Sequence, residues 1–92
     1  MNPIENYKMQ AHQEVEILSA FIGKNDKSEN GFLEQLEATD DAITKLDNFL
    51  RSATLDYIVK HNPSAEEIEE LYQINIVALT VLVKRSQIPV NV

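Results

Sequence analysis

Apolar residues recur every three or four positions in three parts of the chain, which is the spacing of one face of an α-helix. The first part opens with Asn2 and Pro3, a favourable N-cap and a favourable first helical residue, and closes at Gly23. We therefore predict a helix over 3–22. Its inward stripe is Ile4, Tyr7, Ala11, Val15, Leu18 and Ile22, and a second stripe is Met9, Ile17 and Phe21.

The second part carries a heptad pattern, in which apolar positions alternate at spacings of four and three. This regularity predicts one helix over 30–61, after a polar loop over 23–28 that we expect to tolerate insertions. A break at 39–41 is the alternative, because Thr and Asp favour helix caps. The predicted core positions are Phe32, Leu36, Thr39, Ile43, Leu46, Leu50, Ala53 and Tyr57, flanked by Leu33 and Phe49.

The third part is marked at both ends. Pro63 ends the preceding helix, and Ser64 followed three positions later by Glu67 matches a capping box. Lys84 and Arg85 lie where a helix dipole favours positive charge. We predict a helix over 65–86 and an extended tail over 87–92. The Val- and Ile-rich stretch 74–83 would also suit a strand, but the caps favour a helix.

These elements predict an all-α fold, an antiparallel three-helix bundle with residues 1–92 in a single domain. The stretch 74–83 is apolar on nearly every side, and two neighbouring helices cannot cover such a helix completely. We therefore expect the chain to form a homodimer, or to meet a partner, through the third helix. The residues predicted for this interface are Ile74, Val77, Ala78, Val81 and Leu82.

Charge and composition narrow the classes of function. The net charge of −7 comes from fifteen acidic and eight basic residues, which disfavours direct binding to nucleic acid or to an anionic membrane. The chain contains no cysteine, so a disulfide framework and a thiolate metal site are excluded. The first ten residues contain no apolar run typical of a signal peptide, and no run is long enough to span a bilayer. We expect a cytoplasmic protein.

The sequence offers little for catalysis. His12 and His61 stand in no motif with a nucleophile, and neither follows a Glu three positions earlier, as helical di-metal sites require. We expect no enzyme activity, no metal and no cofactor. Thr39 is predicted to bond back to a carbonyl one turn earlier in its helix. Asn75 either does the same or fixes register and partner choice, as a polar residue in a coiled-coil seam does.

Acidic residues are concentrated over 26–41, where six acids accompany one lysine. We interpret Glu34, Glu37, Asp40 and Asp41 as a partner-facing acidic surface of the second helix. The predicted function is that of a non-enzymatic regulator or chaperone-like adaptor, which binds and occludes a protein partner with a basic surface. One alternative is a DNA mimic that inhibits a nucleic-acid-binding protein. The other is a small hydrolase that holds Mg²⁺ with helix carboxylates.

Overall fold

The computed structural model describes residues 2–23 and 31–86, which form three α-helices. Helix α1 spans Pro3–Gly23, α2 spans Gly31–His61, and α3 spans Ala65–Arg85. Each helix packs against both of the others, and the described chain contains no strand. The predicted all-α three-helix bundle is confirmed, and 74–83 is helix and not strand. Gly23, which was placed in the predicted 23–28 loop, is instead the last residue of α1. The rest of that loop and the 87–92 tail lie outside the described part.

The helix ends follow the predicted capping chemistry. The Asn2 side-chain oxygen accepts a hydrogen bond of 2.9 Å from the backbone N–H of Ile4, which caps α1. At α3 the backbone N–H of Glu67 donates to the Ser64 hydroxyl at 3.2 Å, and the Glu67 carboxylate accepts from the Ser64 N–H. Both halves of the capping box are therefore present. Asn62 adopts a left-handed φ of 43° between α2 and α3, a conformation that Asn tolerates well.

The predicted stripe of α1 forms one side of the core. Five of its six residues are buried, and Ile4 is half-buried. Burial of these apolar side chains is the main favourable contribution to folding. The second stripe is exposed instead, since Met9, Ile17 and Phe21 each lie on the solvent side of α1. The main core cluster is Ala11, Val15, Leu18, Ile22, Ala42, Leu46, Leu50, Ala78 and Leu82.

Helix α2 is continuous through Thr39, as the heptad pattern predicted, so the alternative of a break is wrong. Leu36, however, was assigned to the core and is 43% exposed. Helix α2 has 31 residues, whereas α1 and α3 have 21 each. The short connection 62–64 aligns the end of α2 with the start of α3. The first turns of α2 therefore extend beyond the described neighbours, and its Leu side chains there are uncovered. The side chain of Phe32 lies outside the described part.

Three polar side chains connect all three helices inside the bundle. The Tyr7 hydroxyl lies 2.9 Å from the Thr54 hydroxyl and donates to the Asn75 side-chain oxygen at 2.5 Å. The Asn75 amide nitrogen donates to Thr54 at 3.0 Å, which closes the ring of bonds. Because each group is matched, burying them carries little penalty. Asn75 therefore bonds to α1 and to α2, and its role in fixing register or partner choice stays a prediction.

Thr39 departs from its prediction. Its side chain is buried, but its hydroxyl has no hydrogen-bond partner, so the expected bond to a carbonyl one turn earlier is absent. The neighbouring core side chain is Ala42, which has no polar atom to offer. A buried hydroxyl without a partner loses its bonds to water on folding and destabilises the native state.

Candidate protein-binding groove

An apolar groove of about 690 Å³ runs between α1 and α3 on the side of the bundle away from α2. The two helices are parallel, since Tyr7 contacts Asn75 and, further along both helices, Glu16 contacts Arg85. The small side chains of Ala11 and Ala78 leave the groove open, because larger side chains at these positions would fill it. Its lining is Glu5, Lys8, Met9, Ala11, His12, Val15, Ile74, Val77, Ala78 and Val81.

The structure divides the residues predicted for the interface between two environments. Leu82 is wholly buried and Ala78 nearly so, and both belong to the bundle's own core. Leu82 is therefore unavailable to a partner, and Ala78 contributes only the floor of the groove. Val77 is 58% exposed, while Ile74 and Val81 are half-buried along the groove. The correction follows from helical phase, because positions 71, 78 and 82 point inward together.

Charged side chains border the groove on the α1 side. Glu5, Lys8 and His12 form this border, and His12 lies 3.5 Å from Glu16 one turn further on. An ion pair between Glu16 and Arg85 then links α1 to α3 at the end of the groove. The hydrogen bond from Arg85 holds the pKa of Glu16 below its ordinary value. This exposed pair contributes little to stability but fixes where the groove ends.

The groove-lining residues of α1 were not predicted as a site. Met9 was assigned only to a second apolar stripe, and Ala11 and Val15 only to the core. One signal in the sequence could have identified them. Met9 and His12 are three positions apart, so they border the same side of the helix.

The predicted acidic surface is present as a cluster. Glu34, Glu37, Asp40 and Asp41 are all exposed, and they surround a shallow cavity of about 490 Å³ beside Phe21. None of them takes part in the ion pairs formed among the described residues. Four exposed carboxylates near one another create a negative potential that attracts basic ligands, with Lys45 over the Phe21 ring as the nearby cation.

The histidines lie apart from each other. His12 borders the groove, whereas the ring of His61 lies 4.5 Å from the ring of Tyr57 at the far end of α2. A polar cavity of about 380 Å³ lies beside His61, between α1 and α2, and sequence reasoning did not anticipate it. In residues 2–23 and 31–86, no three His, Cys, Asp or Glu side chains are grouped so that they could hold a metal ion.

No protein-family model matches the chain, and no curated protein or solved structure matches it either. None of the helices in the described part of the chain has the length and hydropathy needed to cross a membrane.

Proposed function

We propose that the protein is a non-enzymatic, cytoplasmic regulator or chaperone-like adaptor, which binds and occludes a protein partner. The observation that carries this proposal is the apolar groove between α1 and α3. It is formed by two parallel helices of a three-helix bundle and lies where a four-helix bundle has its fourth helix. An amphipathic helix could bury its apolar stripe there, which is a common mode of protein recognition.

The lining of the groove favours a protein over a small polar ligand. Its floor and walls are aliphatic, and its charged groups are confined to Glu5, Lys8 and His12 on one border. Sites for small polar ligands place several polar groups so that they converge on the ligand. A helix needs apolar contact along its length and charge only at its margins, and this groove provides both.

The acidic cluster on α2 indicates that the proposed partner carries a basic surface. Glu34, Glu37, Asp40 and Asp41 lie on the first turns of α2, away from the groove, and form no ion pair among the described residues. Such a surface accelerates encounter with a basic partner and repels acidic ones. The same cluster supports a second candidate, a DNA mimic, because carboxylates in a row resemble phosphates. Competition with DNA for a basic protein distinguishes this candidate.

Photo-cross-linking in the native cell tests the proposal. A photoreactive amino acid is placed at Val77 in the groove, and at Glu69 as a matched control on the outer face of the same helix. Because the groove is proposed to hold a polypeptide, we expect a discrete protein adduct at position 77 and little at position 69. Mass spectrometry of the adduct identifies the occupant.

Two outcomes would contradict the proposal. Adducts of the same yield and identity at both positions would show random collision, and no adduct at position 77 would show an empty groove. Competition by a small metabolite for cross-linking at position 77 would indicate a ligand site instead.

A further inference from the structure

Helix α3 carries opposite charges near its two ends, in line with Val77 of the groove. Glu66 and Lys84 are separated by eighteen positions, which is five full turns at 3.6 residues per turn. The two side chains therefore lie on the same face of the helix, about 27 Å apart along its axis. Val77 falls about three turns after Glu66 and about two turns before Lys84, so it lies close to the same line.

The line formed by Glu66, Val77 and Lys84 on α3 is complementary to the same line on a second α3 that runs in the opposite direction. If a second α3 lies antiparallel to the first, with a two-fold axis near position 75, each Glu66 faces Lys84 of the other copy. The same operation places Val77 and Ile74 of both copies at the centre of the contact. A two-fold interface requires such a self-complementary patch, because both copies use the same residues.

The direction of the helices suits this operation. Helices α1 and α3 are parallel, so the two-fold axis that sets α3 antiparallel to its counterpart also sets α1 antiparallel to its counterpart. Neither Glu66 nor Lys84 takes part in an ion pair among the described residues, so both charges are available to a second copy. The total charge of −7 opposes association only weakly, because exposed charges are screened beyond about 8 Å at physiological ionic strength.

We infer that the α1–α3 groove is covered by the same face of a second copy, with α3 packed antiparallel on α3 and two Glu66–Lys84 pairs across a two-fold axis. The inference rests on the proposed function in one respect, namely that the groove binds a polypeptide. In such a dimer a second copy covers the groove, and the acidic cluster of α2 stays exposed on each copy as the surface left for a basic partner.

A charge-exchange experiment on the purified full chain tests the inference. The variants E66K and K84E each place like charges across the interface, and each is expected to raise the dimer dissociation constant at least about tenfold, as judged from coupling between close charge pairs. An equimolar mixture of the two variants pairs opposite charges at both contacts, and we expect it to form a heterodimer. Sedimentation velocity measures all three samples.

Controls separate assembly from folding. E69K makes the same charge change on the outer face and is expected to leave the dissociation constant within about twofold of the wild type. Circular dichroism establishes that each variant retains its helix content. Because the two positions are about 27 Å apart within one chain, recovery in the mixture arises only between copies. V77D, compared with I76D, provides an independent disruption of the apolar contact.

The possible results are decisive. Heterodimer formation from two weakened variants supports the inference, and a wild type that stays monomeric at millimolar concentration overturns it. A dimer that E66K and K84E leave unchanged also overturns the proposed geometry. If the wild type is monomeric but position 77 cross-links to another protein in the cell, the second copy is refuted and the proposed function stands.

Discussion

Tyr7 and Asn75 lie 68 positions apart in the chain and share a hydrogen bond of 2.5 Å inside the bundle. With Thr54 they join α1, α2 and α3 at one level, and each polar group finds a partner. The contact sets how α1 and α3 lie against each other, and therefore where the groove between them begins. The polar ring thus connects the packing of the bundle to the surface proposed for binding.

Removal of the Tyr7 hydroxyl should weaken the bundle. The Tyr7→Phe variant leaves the ring in place but deprives Asn75 of its donor and Thr54 of one neighbour. We expect the free energy of unfolding to fall by about 1–2 kcal/mol, the cost of leaving buried polar groups unpaired. Urea denaturation measures this change. Tyr72→Phe is the matched control, since Tyr72 is exposed on α3 and should be neutral; equal effects of the two variants would contradict the role of the ring.

The pH dependence of stability should also report on Tyr7. Burial raises the pKa of Tyr7 above its usual value of 10.0, against the opposing effect of its two hydrogen bonds. Because the folded pKa exceeds the unfolded one, stability is complete below about pH 10 and is lost as the pH rises through the folded pKa. Burial also raises the pKa of Tyr57, which adds to the same decline.

Urea titrations between about pH 8 and pH 11 measure this decline, on the alkaline side of the ordinary tyrosine pKa. We expect the free energy of unfolding to fall less steeply in Tyr7→Phe than in the wild type, because one of the two responsible groups is absent. Lysine deprotonation affects both proteins equally and cancels in the comparison. The same slope in both proteins would show that the Tyr7 hydroxyl titrates alike in the folded and unfolded states.

Removal of the Thr39 hydroxyl should have the opposite effect on stability to removal of the Tyr7 hydroxyl. Its buried hydroxyl has no partner, and Val has nearly the same shape without the polar atom. Thr39→Val should raise the free energy of unfolding by about 1 kcal/mol, because an unmatched group no longer has to be desolvated. Thr54→Val is the matched control and should lower it, since Thr54 is bonded to Tyr7 and Asn75. Destabilisation by both changes would indicate that Thr39 has a bonding role.

The effect of divalent cations on the melting temperature distinguishes the proposed adaptor from the Mg²⁺-dependent hydrolase that the sequence offered as an alternative. A ligand that binds only the native state raises the free energy of unfolding by RT ln(1 + [L]/Kd), and the melting temperature rises with it. For the adaptor we expect millimolar Mg²⁺ or Mn²⁺ to shift the melting temperature no more than an equal ionic strength of NaCl. A larger shift, which grows with cation concentration and which Glu37→Gln and Asp41→Asn abolish, would place a cation site at the acidic cluster and favour the hydrolase.

The sequence predicted the helices well, because caps and periodicity are local properties. Ser64, Glu67 and the Pro63 before them mark the start of α3 without reference to any other helix. The core stripe of α1 was equally clear, since a single face repeats from Ile4 to Ile22.

What the sequence could not predict depends on contacts between distant parts of the chain. The heptad pattern does not reveal that α2 is longer than α1 and α3. Leu36 was therefore placed in the core, although it is exposed. Apolar character all round α3 did not reveal which side faced α1, so Leu82 and Val77 were assigned to one interface. The bond between Asn75 and Tyr7 likewise appears only when the helices are packed.

Thiol labelling at two neighbouring positions tests most directly whether a polypeptide covers the α1–α3 groove. The chain contains no cysteine, so Val77→Cys and Ile76→Cys each introduce a single reactive thiol. The native side chains are 58% and 55% exposed in the isolated chain, and only Val77 lines the groove. In the native cell, we expect a maleimide to modify position 77 much more slowly than position 76. Denaturation should make the two rates equal. Equal rates at both positions in the folded protein, in the cell and at high concentration alike, would contradict the account.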